Sequence, residues 1–332
     1  MNRFPVIFMF TGLGSQYYQM ARQLFFHDHE FAAQMRDMDA VMSGLTGKSV
    51  LEALYETSRK KSDPFDGLEL SGSALFMIQH ALATTLTNAG IVPDYVLGAS
   101  LGTFAAAVQS GMISRDEALG AIVAQAEVVR RHCRRGGMVA VLADPATLQL
   151  RQANISCEVA GINMASHCTL AMPEEDISVL ERYLRARGIA YQRLPITYAF
   201  HSRWIAEAEE GMSRLFDSLP SKPGRIPLLC CATARMHLDL PGRHFWKIAR
   251  EPILLRDSIM LMERYRPGLY IDVGPNGSLA GLIKYLKLPG SRSEARMVLN
   301  PFNDERRSLE ALLNELGVVV EANGAKERRA SR

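Results

Sequence analysis

The chain begins with a continuous apolar run, residues 4–10 (FPVIFMF), broken at once by Thr11-Gly12-Leu13-Gly14-Ser15-Gln16. A short run rich in Phe, Val and Ile that meets a glycine-flanked loop predicts a buried strand feeding a tight turn. Helical patterns follow through residues 17–60, and the segment 73–89 places Ala74, Met77, Ile78, Ala81 and Leu82 on one helical face. Residues 91–97 (IVPDYVL) predict the next strand and 101–110 an alanine-rich helix, with Gly98-Ala99-Ser100-Leu101-Gly102 packed between them. Strand, loop and helix alternating in this way predict a mostly parallel sheet.

Between Gly136 and Pro195 the rhythm changes. Short apolar runs at 138–143, 157–163 and 168–172, helical patterns near 145–152 and 175–187, and a last strand near 189–194 give the order β-α-β-β-α-β. That order describes a ferredoxin-like unit of about 60 residues, inserted into the larger domain. The expected organisation is a discontinuous large domain over 1–135 and 196–320, the inserted unit over 136–195 and a polar, basic tail over 321–332. The α/β pattern resumes after the insertion, with strands near 226–231 and 268–273.

Composition narrows the classes without choosing among them. At 332 residues, 48% hydrophobic and 22% charged, the chain has the make-up of an ordinary globular protein with a substantial core. A net charge of +3 supplies no long-range field that would favour nucleic acid or a membrane surface. The five cysteines form no C-x-x-C pair, and the adjacent Cys230 and Cys231 are poorly placed for an unstrained disulfide, so they read as core thiols in a reducing compartment. The apolar stretch 5–10 is too short for a signal-peptide core, and no segment approaches a membrane span. The expectation is a cytoplasmic protein. Histidines and cysteines lack ligand spacing, so neither a metal nor a bound cofactor is expected.

The G-x-S-x-G sequence at 98–102 changes the picture. Between a strand and a helix it forces a sharp turn that lifts a serine hydroxyl above the sheet edge. Ser100 would then sit at a helix N-terminus, where the backbone N–H of Leu101 and the helix dipole face negative charge developing on an attacked carbonyl oxygen. The alternative is a plain strand-to-helix turn. The loop at 12–16 could bring a second backbone N–H, that of Leu13, to the same oxygen; a phosphate-cradling loop is disfavoured because no G-K-[ST] follows and G-x-G-x-x-G fails at Tyr17. A serine needs a base. Among eight histidines, His201 stands where the inserted unit rejoins the main domain, although a lone histidine after Tyr198-Ala199-Phe200 could equally be packed under an aromatic ridge, as His80, His132, His167 and His237 are read to be.

Gly12-Leu13-Gly14-Ser15-Gln16, Gly98-Ala99-Ser100-Leu101-Gly102, Tyr198-Ala199-Phe200-His201-Ser202 and Asp272-Val273-Gly274-Pro275-Asn276-Gly277, in this order, resemble the malonyl-CoA:acyl carrier protein transacylase family over roughly residues 4–300. The resemblance implies a large α/β hydrolase-like domain with an inserted ferredoxin-like subdomain. It makes Ser100 the nucleophile, His201 the base and the N–H groups of Leu13 and Leu101 the oxyanion hole. A backbone carbonyl near Asn276 would orient the imidazole in place of a triad carboxylate. Leu13 replaces the family's usual glutamine, a change that need not matter at a position acting through its backbone.

Other departures point to the substrate. Malonyl-handling members carry an arginine whose fork pairs with the free carboxylate; the aligned position here is Gln125. In the pocket that Phe200 is also expected to line, Ala99 replaces the usual histidine before the nucleophile and Gly72 a glutamine just before the 73–89 helix. All three suit an uncharged acyl chain. This combination, with the stretches 14–20 and 62–66, resembles the acyl-hydrolase branch found beside trans-acyltransferase polyketide synthases, which removes acyl groups from stalled carrier proteins. The implied partner is an acyl carrier protein bearing its substrate on a phosphopantetheine arm. Hydrolysis and transfer between carriers differ only in which acceptor reaches the ester, so an acyl transferase remains open, as do an α/β-hydrolase esterase and a non-catalytic carrier-binding scaffold. Arg130, Arg131, Arg134 and Arg135, or Arg243 with Lys247, could dock an acidic carrier, though such runs usually only solvate a surface.

Overall fold

The computed structural model describes residues 4–150, 153–302 and 304–318; the expected tail at 321–332 lies outside the described residues. The strands, in chain order, are β1 (Val6–Phe10), β2 (Tyr95–Gly98), β3 (Gly136–Val141), β4 (Glu158–Met164), β5 (His167–Pro173), β6 (Tyr191–Arg193), β7 (Leu228–Cys230), β8 (Arg235–His237), β9 (Leu269–Asp272) and β10 (Glu294–Met297). They form two sheets. The larger has the order β10-β9-β1-β2-β7-β8, parallel throughout except for the β7–β8 edge pair.

β1 lies inside this sheet, and its sequence is apolar without alternation because both faces are covered. Val6, Phe8 and Phe10 enter the core on one side, while Ile7 and Met9 enter the core on the other. The helix after it in space, Leu68–Asn88, begins five residues earlier than the periodicity suggested and is buried along most of its length. Its Gln79 is fully buried and mimics a neighbouring strand: Oε1 accepts from the N–H of Thr11 at 2.6 Å and Nε2 donates to the carbonyl of Thr11 at 3.1 Å. That pair satisfies the backbone where β1 ends and the glycine loop begins.

The smaller sheet has the order β4-β5-β3-β6 and is antiparallel throughout, which is the ferredoxin-like arrangement. Helix Glu174–Ala186 covers it. Of the helix expected near 145–152, only a 3-10 turn at Pro145–Thr147 forms among the described residues. Leu148 and Leu150 both turn into the small core, and residues two apart fall on different faces of an α-helix, so burying both requires irregular backbone.

The two sheets are joined by the segment between helix Arg243–Arg250 and helix Leu255–Tyr265. Ile253 donates to the carbonyl of Ala160 at 2.8 Å and accepts from the N–H of Ile162 at 3.0 Å, as a strand partner of β4 would. Leu254 donates to the carbonyl of Cys231 at 2.7 Å beside the larger sheet. This segment is therefore fixed from both sides, and it borders the site described next.

Candidate active site

β2 ends at Gly98 and helix Gly102–Ser110 begins four residues later, so Ser100 occupies the turn between them with φ of 51°. That is left-handed backbone, costly for a residue with a side chain and found where the surrounding structure imposes it. Gly102 shows what imposes it: a Cβ there would lie 2.3 Å from the carbonyl oxygen of Phe10 and 2.5 Å from its carbon. The helix thus starts directly against the end of β1. Gly12 approaches from the other side, where a Cβ would sit 2.7 Å from the Cβ of Ser100.

His201 stands opposite, also with a left-handed φ of 60°, and its N–H donates to the carbonyl of Ala249 at 2.9 Å. Its Nε2 lies 2.8 Å from the Oγ of Ser100. Its Nδ1 lies 2.8 Å from the carbonyl oxygen of Glu251. A carbonyl can only accept, so Nδ1 carries the ring proton and Nε2 presents a lone pair to the serine hydroxyl. Here the structure corrects the expectation drawn from the motif at 272–277. The orienting carbonyl belongs to Glu251, in the segment that links the sheets, and not to the neighbourhood of Asn276, whose side chain instead accepts from the N–H of Ser278 at 3.1 Å. A backbone carbonyl has no residue signature, so only the folded chain could reveal it.

His201 is 3% exposed, and burial pushes its imidazole down to about 4, opposed by the Glu251 carbonyl. It is neutral at pH 7 and ready to accept a proton. Among the described residues, neither the N–H of Leu13 nor that of Leu101 donates a hydrogen bond, so both are free to meet a developing oxyanion. The N–H of Gly14 is already occupied by Oε1 of Gln16 at 2.7 Å.

These groups open on a cleft of about 240 Å³ between the two sheets. Leu13, Ala99, Phe200 and Asn276 line it, as expected of a pocket around Ser100. Gln125 and Gly72 do not. Gly72 faces the side chains of Ile122 and Leu101, at 3.4 and 3.8 Å from where its Cβ would stand, and Gln125 is buried on the same helix as Ile122. Sequence reasoning missed the polar wall from the small sheet. Asn163 and His167, with side chains 3.4 Å apart, and Thr169 all line the cleft, so His167 is no simple core residue. Nor did the motif at 272–277 disclose the role of Asp272, fully buried at the end of β9, whose carboxylate accepts from the N–H groups of Gly274 and Ala280 at 2.8 and 3.0 Å and so shapes the loop carrying Asn276 and Ser278.

The arginine run at 130–135 is less available than its sequence suggests. Arg130 and Arg131 share Glu127, Arg134 pairs with Glu175, and Arg135 lies over the ring of Tyr198.

The acyl transferase domain family matches residues 7–284. The polyketide biosynthesis acyltransferase homolog BaeD of Bacillus velezensis is 39% identical over 309 residues, covering 93% of this chain and 95% of that one. PksD of Bacillus subtilis, described in the same words, is 36% identical, covering 92% and 94%. Among solved structures, the acyl transferase domain of SpnD superposes with a TM-score of 0.84 at 25% identity, over 96% of this chain and 77% of that one. The loading acyltransferase of the avermectin modular polyketide synthase also gives 0.84, at 21% identity over 94% and 99%. With its family match across both sheets and its near full-length likeness to these relatives, the chain belongs to the acyl transferase domain family.

Proposed function

We propose that this chain acts in polyketide biosynthesis on acyl thioesters of acyl carrier proteins, and that it hydrolyses uncharged acyl groups, acetyl or longer, through an ester on Ser100. One observation carries the reading. The cleft that holds the Ser100–His201 pair has no lysine or arginine among its described lining residues. A malonyl carboxylate drawn into it would lose its water with no cation to meet it, which strongly disfavours that substrate. An uncharged chain loses nothing of the kind. The two Bacillus relatives support the pathway.

The chemistry follows from the geometry. Oγ of Ser100 attacks the thioester carbon as Nε2 of His201 takes the hydroxyl proton, and the oxyanion is met by the N–H groups of Leu13 and Leu101. The C–S bond then breaks, and the imidazolium gives its proton to the departing sulfur. The acyl group remains as an ester on Ser100. A water entering the cleft is deprotonated by the same nitrogen, attacks the ester and releases the acid, and the proton returns to Ser100. Transfer to a second carrier would use the same ester with a thiol in place of the water.

Intact-protein mass spectrometry of a carrier protein loaded with acetyl, butyryl or malonyl groups tests the reading. The enzyme should strip acetyl and butyryl and leave malonyl, and Ser100→Ala should strip none. Removal of malonyl would refute the argument from the missing cation. Acyl groups appearing on a second, empty carrier faster than free acid forms would replace hydrolysis by transfer. Activity surviving Ser100→Ala would eliminate the serine ester.

A further inference from the structure

The cleft at Ser100 does not end at its own walls. Gly14, Ser15, Gln192, Leu194, Ile196 and Asn276 line it and also line a second cavity of about 810 Å³. This second space runs between the loop 61–66 and the stretch 192–197 that leaves β6. Its two walls are tied together by one buried side chain. Nε2 of Gln16 donates to the carbonyl of Phe65 at 3.1 Å and to that of Pro195 at 2.8 Å. Phe65 is itself buried, with its ring 4.5 Å from that of Tyr18.

Charge decides what such a space suits. Lys61 and Arg193 line it, but so do Asp63 and Asp66. Lys61 already donates to the carbonyl of Pro301 at 2.8 Å and lies over the ring of Tyr17. Two cations against two carboxylates leave little net field for an anion. Pro64, Leu194, Pro195 and Phe302 meanwhile offer apolar surface, which rewards whatever apolar area is buried against it.

We propose, on the basis of the Ser100-ester reading above, that this second cavity holds the distal part of an extended, uncharged acyl chain. A carbonyl held at Ser100 carries two substituents that leave it in different directions, the acyl chain and the thioester arm. The arm ends in a phosphate, for which a charge-balanced cavity has no use. It has instead the β4–β5 end of the small sheet, away from β6, where Asn163, His167 and Thr169 line the cleft and offer hydrogen bonds to its amides. The 240 Å³ cleft then governs short chains and the larger cavity admits long ones.

The test fills the second cavity without touching the first. Ser62→Trp and Arg193→Trp place bulk on opposite walls at exposed positions that line only the larger space. Acetyl, butyryl and octanoyl thioesters are compared, both on a carrier protein and on N-acetylcysteamine, which has no phosphate. Wild type should cleave octanoyl at least as well as butyryl. Each variant should lower kcat/KM for octanoyl by about tenfold or more on both carriers while acetyl stays within about twofold, the scale on which a pocket discriminates apolar chain length. An unchanged octanoyl rate in both variants overturns the proposal. So does an equal loss at every chain length confined to the carrier-bound series, which would assign the cavity to the phosphate-bearing arm. If wild type cleaves acetyl and butyryl but rejects octanoyl, the cavity assignment falls and the Ser100 reading stands. If wild type cleaves nothing, the Ser100 reading itself falls.

Discussion

The pH dependence of the reaction follows from the burial of one ring. A free histidine titrates near 6.5, and at pH 5.5 it would be roughly 90% protonated and useless as a base. His201 is held near 4, with burial the larger influence and the Glu251 carbonyl opposing it, so at pH 5.5 it should still be almost wholly neutral. The acid limb of kcat/KM should therefore lie well below 6.5, and the rate at pH 5.5 should stay within about twofold of that at pH 7.5 rather than fall about tenfold. The same burial makes the imidazolium costly during catalysis, by about 3 kcal/mol for a shift of that size. The Glu251 carbonyl, 2.8 Å from Nδ1, and the oxyanion formed nearby are the groups that offset it. Steady-state hydrolysis of a butyryl thioester between pH 5 and pH 8.5, with circular dichroism confirming the fold at each pH, measures the limb. A midpoint at or above 6.5 would refute the argument. A second arm separates the carbonyl from a carboxylate. Glu251→Ala removes the side chain and leaves the backbone oxygen, so activity should stay within about threefold, whereas loss of a triad acid costs orders of magnitude.

Two further outcomes concern the scaffold. Gly102→Ala places a methyl group 2.3 Å from the carbonyl oxygen of Phe10, a backbone atom inside the central sheet that has nowhere to move. It should lower stability by about 1–3 kcal/mol or more and reduce activity with it, read as a fall in melting temperature; an unchanged melting point would contradict the contact. The carboxyl of Asp272 is raised by burial to about 6, even though it accepts backbone hydrogen bonds. The folded state thus holds its proton more tightly than the unfolded state, and wild type loses stability relative to Asp272→Asn as pH rises from about 4 through 6 to about 7, by up to about 3 kcal/mol, with no further change above that window. Denaturant midpoints of the two proteins at pH 4, 5, 6 and 7 check the sign, and a constant difference would refute the burial.

How much of this was legible in the chain depended on how local the cause is. The turn at Ser100 could be read because an apolar run, two glycines and an alanine-rich helix lie within twenty residues, and left-handed backbone at a serine follows from their junction. The small sheet was legible as an order of runs, but of the helix expected near 145–152 only the turn at Pro145–Thr147 forms among the described residues, because Leu148 and Leu150 both go inward to a core formed by strands on either side of them in sequence. His201 could be singled out only through its motif. Its 2.8 Å approach to Ser100 is made by residues 101 positions apart. Gln125 and Gly72 align with pocket positions, yet in the folded chain Leu101 and Ile122 cover Gly72 and neither residue reaches the cleft lining.

Patterning and close-range sterics by themselves thus determined the turn at Ser100, the parallel sheet and the inserted antiparallel sheet, because each depends on side-chain period and on where glycine is tolerated. The tertiary structure alone decided which carbonyl orients the imidazole, how far burial depresses its pKa, and that a second cavity opens from the first. All three arise where segments from both sheets meet, and they depend on backbone atoms and empty space, which no residue type encodes.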